Sequence, residues 1–153
     1  MSAITLTLPY PISANRYWRP VPIGKHITIV PTKEAKEYKA QVAKIARAAG
    51  LAKLHDNRVD VLIELYPHRP LDWKKRQRLL GPWWDNSVQC IDLGNCEKVL
   101  ADALQGVIYT DDKWIWNEYK HRKEPDEKGA RVVVVITPLI EPQPQAGLFG
   151  EAA

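Results

Sequence analysis

The chain has 153 residues, 45% of them hydrophobic and 26% charged, a balance that suits one globular domain with its own core and excludes a disordered, low-complexity chain. The formal net charge is +4, compatible with a polyanionic partner but not diagnostic of one. No apolar run reaches membrane-spanning length, and Met1-Ser2-Ala3-Ile4-Thr5 has neither a basic n-region nor an apolar h-region, so a cytoplasmic protein with no membrane partner is expected.

Ile4 to Leu8 alternate with the period of a half-buried strand, which Pro9 and Pro11 end. Ser13 to Pro20 reads as a polar, aromatic and basic loop, and Ile27 to Val30 as a short second strand. Thr32 is a suitable N-cap for a helix from Lys33 to Ala49, rich in Ala, Lys and Glu, with Tyr38, Val42, Ile45 and Ala49 on its apolar face and Gly50 as its stop. Val59, Val61, Ile63 and Leu65 alternate again, predicting a strand over Arg58 to Tyr66. Leu71 to Val88 has no clear period and reads as a long extended loop.

A second helix is expected from Asn95 to Gln105, ended by Gly106, with Val99, Leu100, Ala103 and Leu104 on its apolar side. Lys113 to Lys120 reads as a strand with Trp114, Trp116 and Glu118 on one face. Val132 to Ile136 is a β-branched run and hence a buried strand. The fold class is therefore α+β, a small mixed β-sheet packed with two main helices, in one domain over 1–138 followed by a flexible tail, 139–153.

Cys90 and Cys96 are expected as reduced thiols, and the scattered His26, His55, His68 and His121 do not make a zinc site.

The chemistry concentrates around the second helix. Asp92 stands just before it, Asn95, Lys98 and Asp102 share a face of it by spacing, and a reversal at Gly106 brings Asp111 and Asp112 back toward it. Carboxylates of this kind can hold Mg²⁺ and a lysine beside them can neutralise charge on a phosphate, the requirements of phosphodiester hydrolysis. The same residues also fit a structural reading: a helix cap at Asp92 or Asn95, an i,i+4 pair of Lys98 with Asp102, and a turn at Asp111-Asp112. Upstream, Arg69, Lys74, Lys75, Arg76 and Arg78 are interleaved with Trp73, Trp83 and Trp84, which suits phosphate contacts with base stacking as well as a solvated charged loop. Asn15 and Arg16 form a second basic candidate.

Leu8-Pro9-Tyr10-Pro11-Ile12-Ser13-Ala14-Asn15-Arg16-Tyr17, the central Asp92-Leu93-Gly94-Asn95 with Lys98 and Asp102-Ala103-Leu104, and the later Asp111-Asp112 resemble the RusA family of phage-borne Holliday-junction resolvases over about Ile4 to Ile136. That resemblance implies a homodimer making Mg²⁺-dependent cuts (Mn²⁺ as a substitute) placed symmetrically on four-way or branched DNA, in a bacterial or phage-infected cell. It implies Asp92 and Asp112 as metal-binding carboxylates, Lys98 as the essential lysine, Asn95 and Asp102 as supporting residues and Asp111 as a neighbour in the metal site. The chain departs at Gly94, where the family pattern has a second Asp. Either another acid such as Asp85, Asp102, Asp111 or Glu64 completes the site, or the protein binds branched DNA with a degraded catalytic centre. Single-stranded nucleic-acid binding through the tryptophan-rich segment is the remaining alternative.

Overall fold

In a computed structural model, residues 2–144 are described; of the expected tail, 139–144 are irregular and 145–153 lie outside the described residues. The chain runs β1 (Ile4–Pro9), α1 (Ala14–Tyr17), β2 (Trp18–Ile23), β3 (His26–Pro31), α2 (Lys33–Ala48), β4 (Val59–Tyr66), α3 (Trp73–Leu80), α4 (Leu93–Leu104), β5 (Ile115–Arg122) and β6 (Arg131–Pro138). Short 3-10 segments occupy Gly81–Ser87 and Asp112–Trp114.

The main sheet has four strands in the order β1-β6-β4-β5. β6 is antiparallel to both β1 and β4, whereas β5 is parallel to β4, so the sheet is mixed. A parallel pair needs a long crossover, and α3 and α4 occupy the one between β4 and β5. One sheet face carries Leu6, Leu8, Val59, Val61, Ile63, Leu65, Val132, Val134 and Ile136, all buried. The α+β expectation thus holds, with α2 and α4 as the two main helices packed against one another and joined to the same core.

Thr32 caps α2 as expected, its Oγ1 accepting from the Ala35 N–H at 3.2 Å. The buried stripe of α2 is Ala35, Tyr38, Val42 and Ala46; Ile45 is half-buried and Ala49 exposed. The 3.6-residue period carries the core contact one residue past the positions read from the sequence.

Two expected loops are corrected. Ser13 to Pro20 contains the single turn of α1 and opens β2, which pairs with β3 in a two-stranded ribbon. Its turn needs Gly24, whose φ of +60° lies in the left-handed region. Leu71 to Val88 is helical for most of its length, as α3 and the following 3-10 segment. α3 buries none of its residues fully: Trp73 and Arg76 are half-buried and Leu79 and Leu80 are exposed, so no core-facing apolar stripe betrays it in the sequence. It is held instead by Arg76, whose Nε donates to Asp72 at 2.8 Å and whose Nη1 donates to the Ser87 carbonyl at 3.0 Å. Both cysteines are free, and Cys96 is buried, which pushes its thiol up to about 12.

Candidate functional site

α4 starts earlier than the sequence suggests because Asp92 is its N-cap. The Asn95 N–H donates to Asp92 Oδ1 at 2.8 Å and the Asn95 carboxamide to Oδ2 at 2.7 Å. These bonds, the backbone N–H foremost, hold the Asp92 carboxyl below the usual aspartate range. The approach to the cap is fixed by Tyr10, whose hydroxyl accepts from the Ile91 N–H at 2.7 Å; burial pushes that phenol up to about 12. Asp92 therefore stands at a defined place at the positive end of a helix, ionised and facing solvent.

Asp92, Gly94, Asn95, Glu97, Lys98 and Ala101 line one open groove along α4. A Cβ built on Gly94 would come within 3.3 Å of Asp92 Oδ1, so the missing side chain leaves bare surface directly beside the Asp92 carboxylate. Asp102 is turned elsewhere. Its carboxylate accepts from the Tyr17 hydroxyl on α1, and its carbonyl from Lys39 Nζ at 3.1 Å. Asp102 is thus engaged across the helix packing, and the described contacts include no ion pair with Lys98.

Asp111 caps the 3-10 turn before β5, accepting from the Lys113 N–H at 2.9 Å, which holds its carboxyl low. Asp112 lines a cleft of about 260 Å³ between α4 and β5 together with Glu97, Tyr109 and Glu118. Glu97 and Ala101 border both this cleft and the Asp92 groove. Among the described residues, no three Asp, Glu, His or Cys side chains converge on one point as a preformed metal cage. The available donors are nonetheless hard carboxylate oxygens, and Mg²⁺ characteristically takes only one or two protein carboxylates beside water and phosphate. The buried Tyr109 hydroxyl, on a residue lining the same cleft, has no hydrogen-bond partner among the described residues.

Glu97, Glu118 and Tyr109 are the cleft residues that sequence reasoning gave no role. Glu118 is marked in the sequence only as one member of a strand face. Glu97 sits inside the motif stretch without a signal of its own, since its neighbour on β5 is set by sheet pairing. In the register, Val61 pairs with Glu118 and Ile63 with Lys120, so both charged residues stand on the helix-covered side of the sheet. Lys120 Nζ pairs with the Glu97 carboxylate. Burial first, and the neighbouring Glu97 charge second, raise the Glu118 carboxyl above the usual glutamate range.

The basic candidates meet the motif at a second, larger groove of about 1000 Å³, whose lining includes Arg16, His68, Arg76, Asp92 and Asn95. Arg16 is anchored to Glu34 at 2.6 Å, and Asn15 is exposed beside it on α1. On the other basic segment, Arg69 stacks over the Trp73 ring at 4.3 Å, while Lys74, Lys75 and Arg78 are exposed along α3. The tryptophans divide: Trp84 is buried and donates to Glu124 Oε1 at 2.6 Å, whereas Trp83 is 77% exposed. Of the other acids weighed for the Gly94 role, Glu64 pairs with Lys123 at 3.3 Å, and Asp85 lies in the 3-10 segment after α3.

A family profile described as endodeoxyribonuclease RusA matches residues 9–137. The crossover junction endodeoxyribonuclease RusA of Escherichia coli strain K12 is 30% identical over 144 residues, covering 91% of this chain and 98% of the relative. The protein of that name from Escherichia coli O139:H28 is 29% identical over 143 residues, with the same coverage. The matched span runs from the end of β1 through β6 and takes in the Asp92 cap, Lys98 and the Asp111-Asp112 turn, and on this match the chain belongs to the RusA endodeoxyribonuclease family.

Proposed function

We propose that the protein is a Mg²⁺-dependent, structure-selective endonuclease that resolves four-way DNA junctions by paired phosphodiester hydrolysis, working as a homodimer in DNA recombination and repair. The observation that carries this reading is the large groove in which Arg16 and Arg76 share a lining with Asp92 and Asn95. Cations that can hold a phosphodiester backbone are thereby adjacent to a carboxylate that can act on it.

Asp92 and Asp112 would hold the metal, with Asp111 beside them; Mn²⁺ suits the same oxygen donors. When bound, the ion neutralises charge at the phosphate and makes a bound water more acidic. Asn95 fixes the Asp92 carboxylate through the two hydrogen bonds described. Lys98, in the same open groove, places a positive charge where negative charge develops on phosphorus-bound oxygen. Asn15, Arg16, Arg69, Lys74, Lys75, Arg76 and Arg78 would grip the backbone, so shape rather than base sequence dominates recognition.

A second reading is a branched-DNA-binding protein with a weakened catalytic centre. It is favoured by Gly94, which leaves the Asp92 carboxylate with Asn95 as its partner and no acidic side chain at the adjoining position.

The test is cleavage of a synthetic four-way junction with Mg²⁺, run with a binding assay on the same samples and beside Gly94→Asp. Symmetric nicking by the parent chain is the expected result. Binding without nicking, with activity gained in Gly94→Asp, would establish the second reading. Tighter binding to single strands than to junctions, as the exposed Trp83 would permit, would overturn both.

A further inference from the structure

α3 and the 3-10 segment after it form a hairpin whose end is apolar. Leu79, Leu80, Gly81, Pro82 and Trp83 follow one another there without a charge, and Leu79, Leu80 and Trp83 are 68%, 55% and 77% exposed. Gly81 makes the reversal with a φ of +74°, in the left-handed region. A single exposed leucine is ordinary, but three large apolar side chains within five residues make a patch.

The support beneath this end is fixed. Trp84, the next residue, is buried, with its ring 6.5 Å from that of Trp73 and its Nε1 on Glu124. Arg76 ties α3 to the Ser87 carbonyl, and Arg122 on β5 donates to the Asp85 and Val88 carbonyls at 3.2 and 3.0 Å. A braced end can enter a partner with little further ordering of the chain.

The surrounding charge selects that partner. Lys74, Lys75, Arg76 and Arg78 stand on α3 and Arg69 precedes it, while the one acid between Arg69 and Trp84, Asp72, is paired with Arg76. A second copy meeting the same end would set like charge against like charge, whereas phosphates complement it. Arg76 also lines the large groove that holds Asp92. Leu79 and Leu80 follow Arg76 by one helical turn, about 5 Å along the axis, so a DNA backbone gripped in the groove has its bases within reach of the apolar end. In a continuous duplex, entry would require unstacking base pairs, and that cost offsets the stacking gained. At a branch point the stack is already interrupted, so the gain is kept.

We propose that Trp83, together with Leu79 and Leu80, is a wedge that packs against the base pairs at the branch point of a DNA junction and so makes the protein select branched over continuous duplex DNA. The wedge deepens the junction reading above and rests on it. Phosphate contacts alone do not supply this selection, because each junction arm carries the same backbone as any duplex.

The experiment measures the affinity of the parent, Trp83→Ala, Trp83→Phe and a Leu79→Gln/Leu80→Gln double variant for a synthetic four-way junction and for a linear duplex of the arm sequence, in EDTA and over a range of salt concentrations. All three positions are exposed, and thermal unfolding checks the fold of each variant. Trp83→Ala is expected to lose roughly tenfold in junction affinity with less than about a twofold change on the duplex, and Trp83→Phe to recover most of the loss. The double variant should lose junction affinity in the same selective way. The salt slope of Trp83→Ala should match the parent's, since no phosphate contact is removed, whereas Lys75→Ala/Arg78→Ala should flatten it. Junction affinity unchanged in Trp83→Ala, an equal loss on both DNAs, or a flattened slope in Trp83→Ala would overturn the wedge and leave the junction reading standing. Sedimentation without DNA gives the other arm: a lower assembly mass in Trp83→Ala than in the parent would make this end a protein interface and overturn the wedge. A parent that binds junction no tighter than duplex would overturn the wedge and the junction reading together.

Discussion

The Tyr17 hydroxyl on α1 donates to the Asp102 carboxylate on α4, linking the segment that carries Asn15 and Arg16 to the helix that carries Asp92 and Lys98. Burial first, and this acidic partner second, push the Tyr17 phenol above its ordinary range, so it remains a proton donor throughout the physiological range. Asp102 thus serves as the strut between the two walls of the large groove. Tyr17→Phe is expected to destabilise the protein by about 1–2 kcal/mol, since a half-buried carboxylate loses its donor. It should also weaken DNA binding more than an exposed substitution does. Urea unfolding and a junction-binding titration measure the two effects, and an unchanged unfolding midpoint would show that the strut is dispensable.

Asp92→Asn separates capping from chemistry. Asparagine is as good an N-cap as aspartate, so α4 should keep its start and the unfolding temperature should stay close to the parent's. Cleavage should be lost because the ionised oxygen is gone, with junction binding retained. Asp92→Ala should lose the same activity and in addition about 1 kcal/mol of stability from the missing cap. Native-rate cleavage by Asp92→Asn would remove Asp92 from the catalytic set.

Lys75 and Arg78 are exposed on a helix with no fully buried residue, so their replacement by Ala should leave stability almost untouched. If they contact phosphate, each loss reduces the slope of log affinity against log salt by about 0.9 on duplex arms. Binding titrations over a range of salt concentrations test this. An unchanged slope in the double variant would take α3 out of the DNA interface. Arg76 is a poorer probe, because its bonds to Asp72 and Ser87 also hold α3 in place.

Arg131 donates to Asp126 at 2.7 and 2.9 Å and packs over the Tyr66 ring, tying the turn before β6 to the sheet. The hydrogen bonds from Arg131 hold the Asp126 carboxyl down at about 2, from an ordinary value of 3.8. A depressed carboxylate stabilises the fold above its unfolded pKa and loses that contribution as the pH falls through its folded pKa. Asp126→Asn should therefore lower the unfolding temperature at neutral pH, and its difference from the parent should shrink between pH 3.8 and about 2. A difference independent of pH would mean that the ion pair contributes nothing through its charge.

The strands β1 and β4 and the helices α2 and α4 were legible in the amino-acid order because each buries one regular stripe and burial imposes its period on the side chains, while β6 was legible as an unbroken β-branched run. Within the motif, Asn95 and Lys98 were legible as neighbours of Asp92 on one groove because helical spacing puts them there, whereas Asp102, expected on the same face, is turned to Tyr17. α3 escaped because it buries no residue fully and leaves Leu79 and Leu80 exposed, so no core-facing apolar stripe marks it. The engagement of Asp102 by Tyr17, and the meeting of Glu97 with Glu118 over the buried Tyr109, were decided by the tertiary structure alone. The first depends on how α1 packs on α4, and the second on which strand pairs with which and in what register, with Val61 opposite Glu118; both are properties of the whole fold rather than of any local stretch of chain.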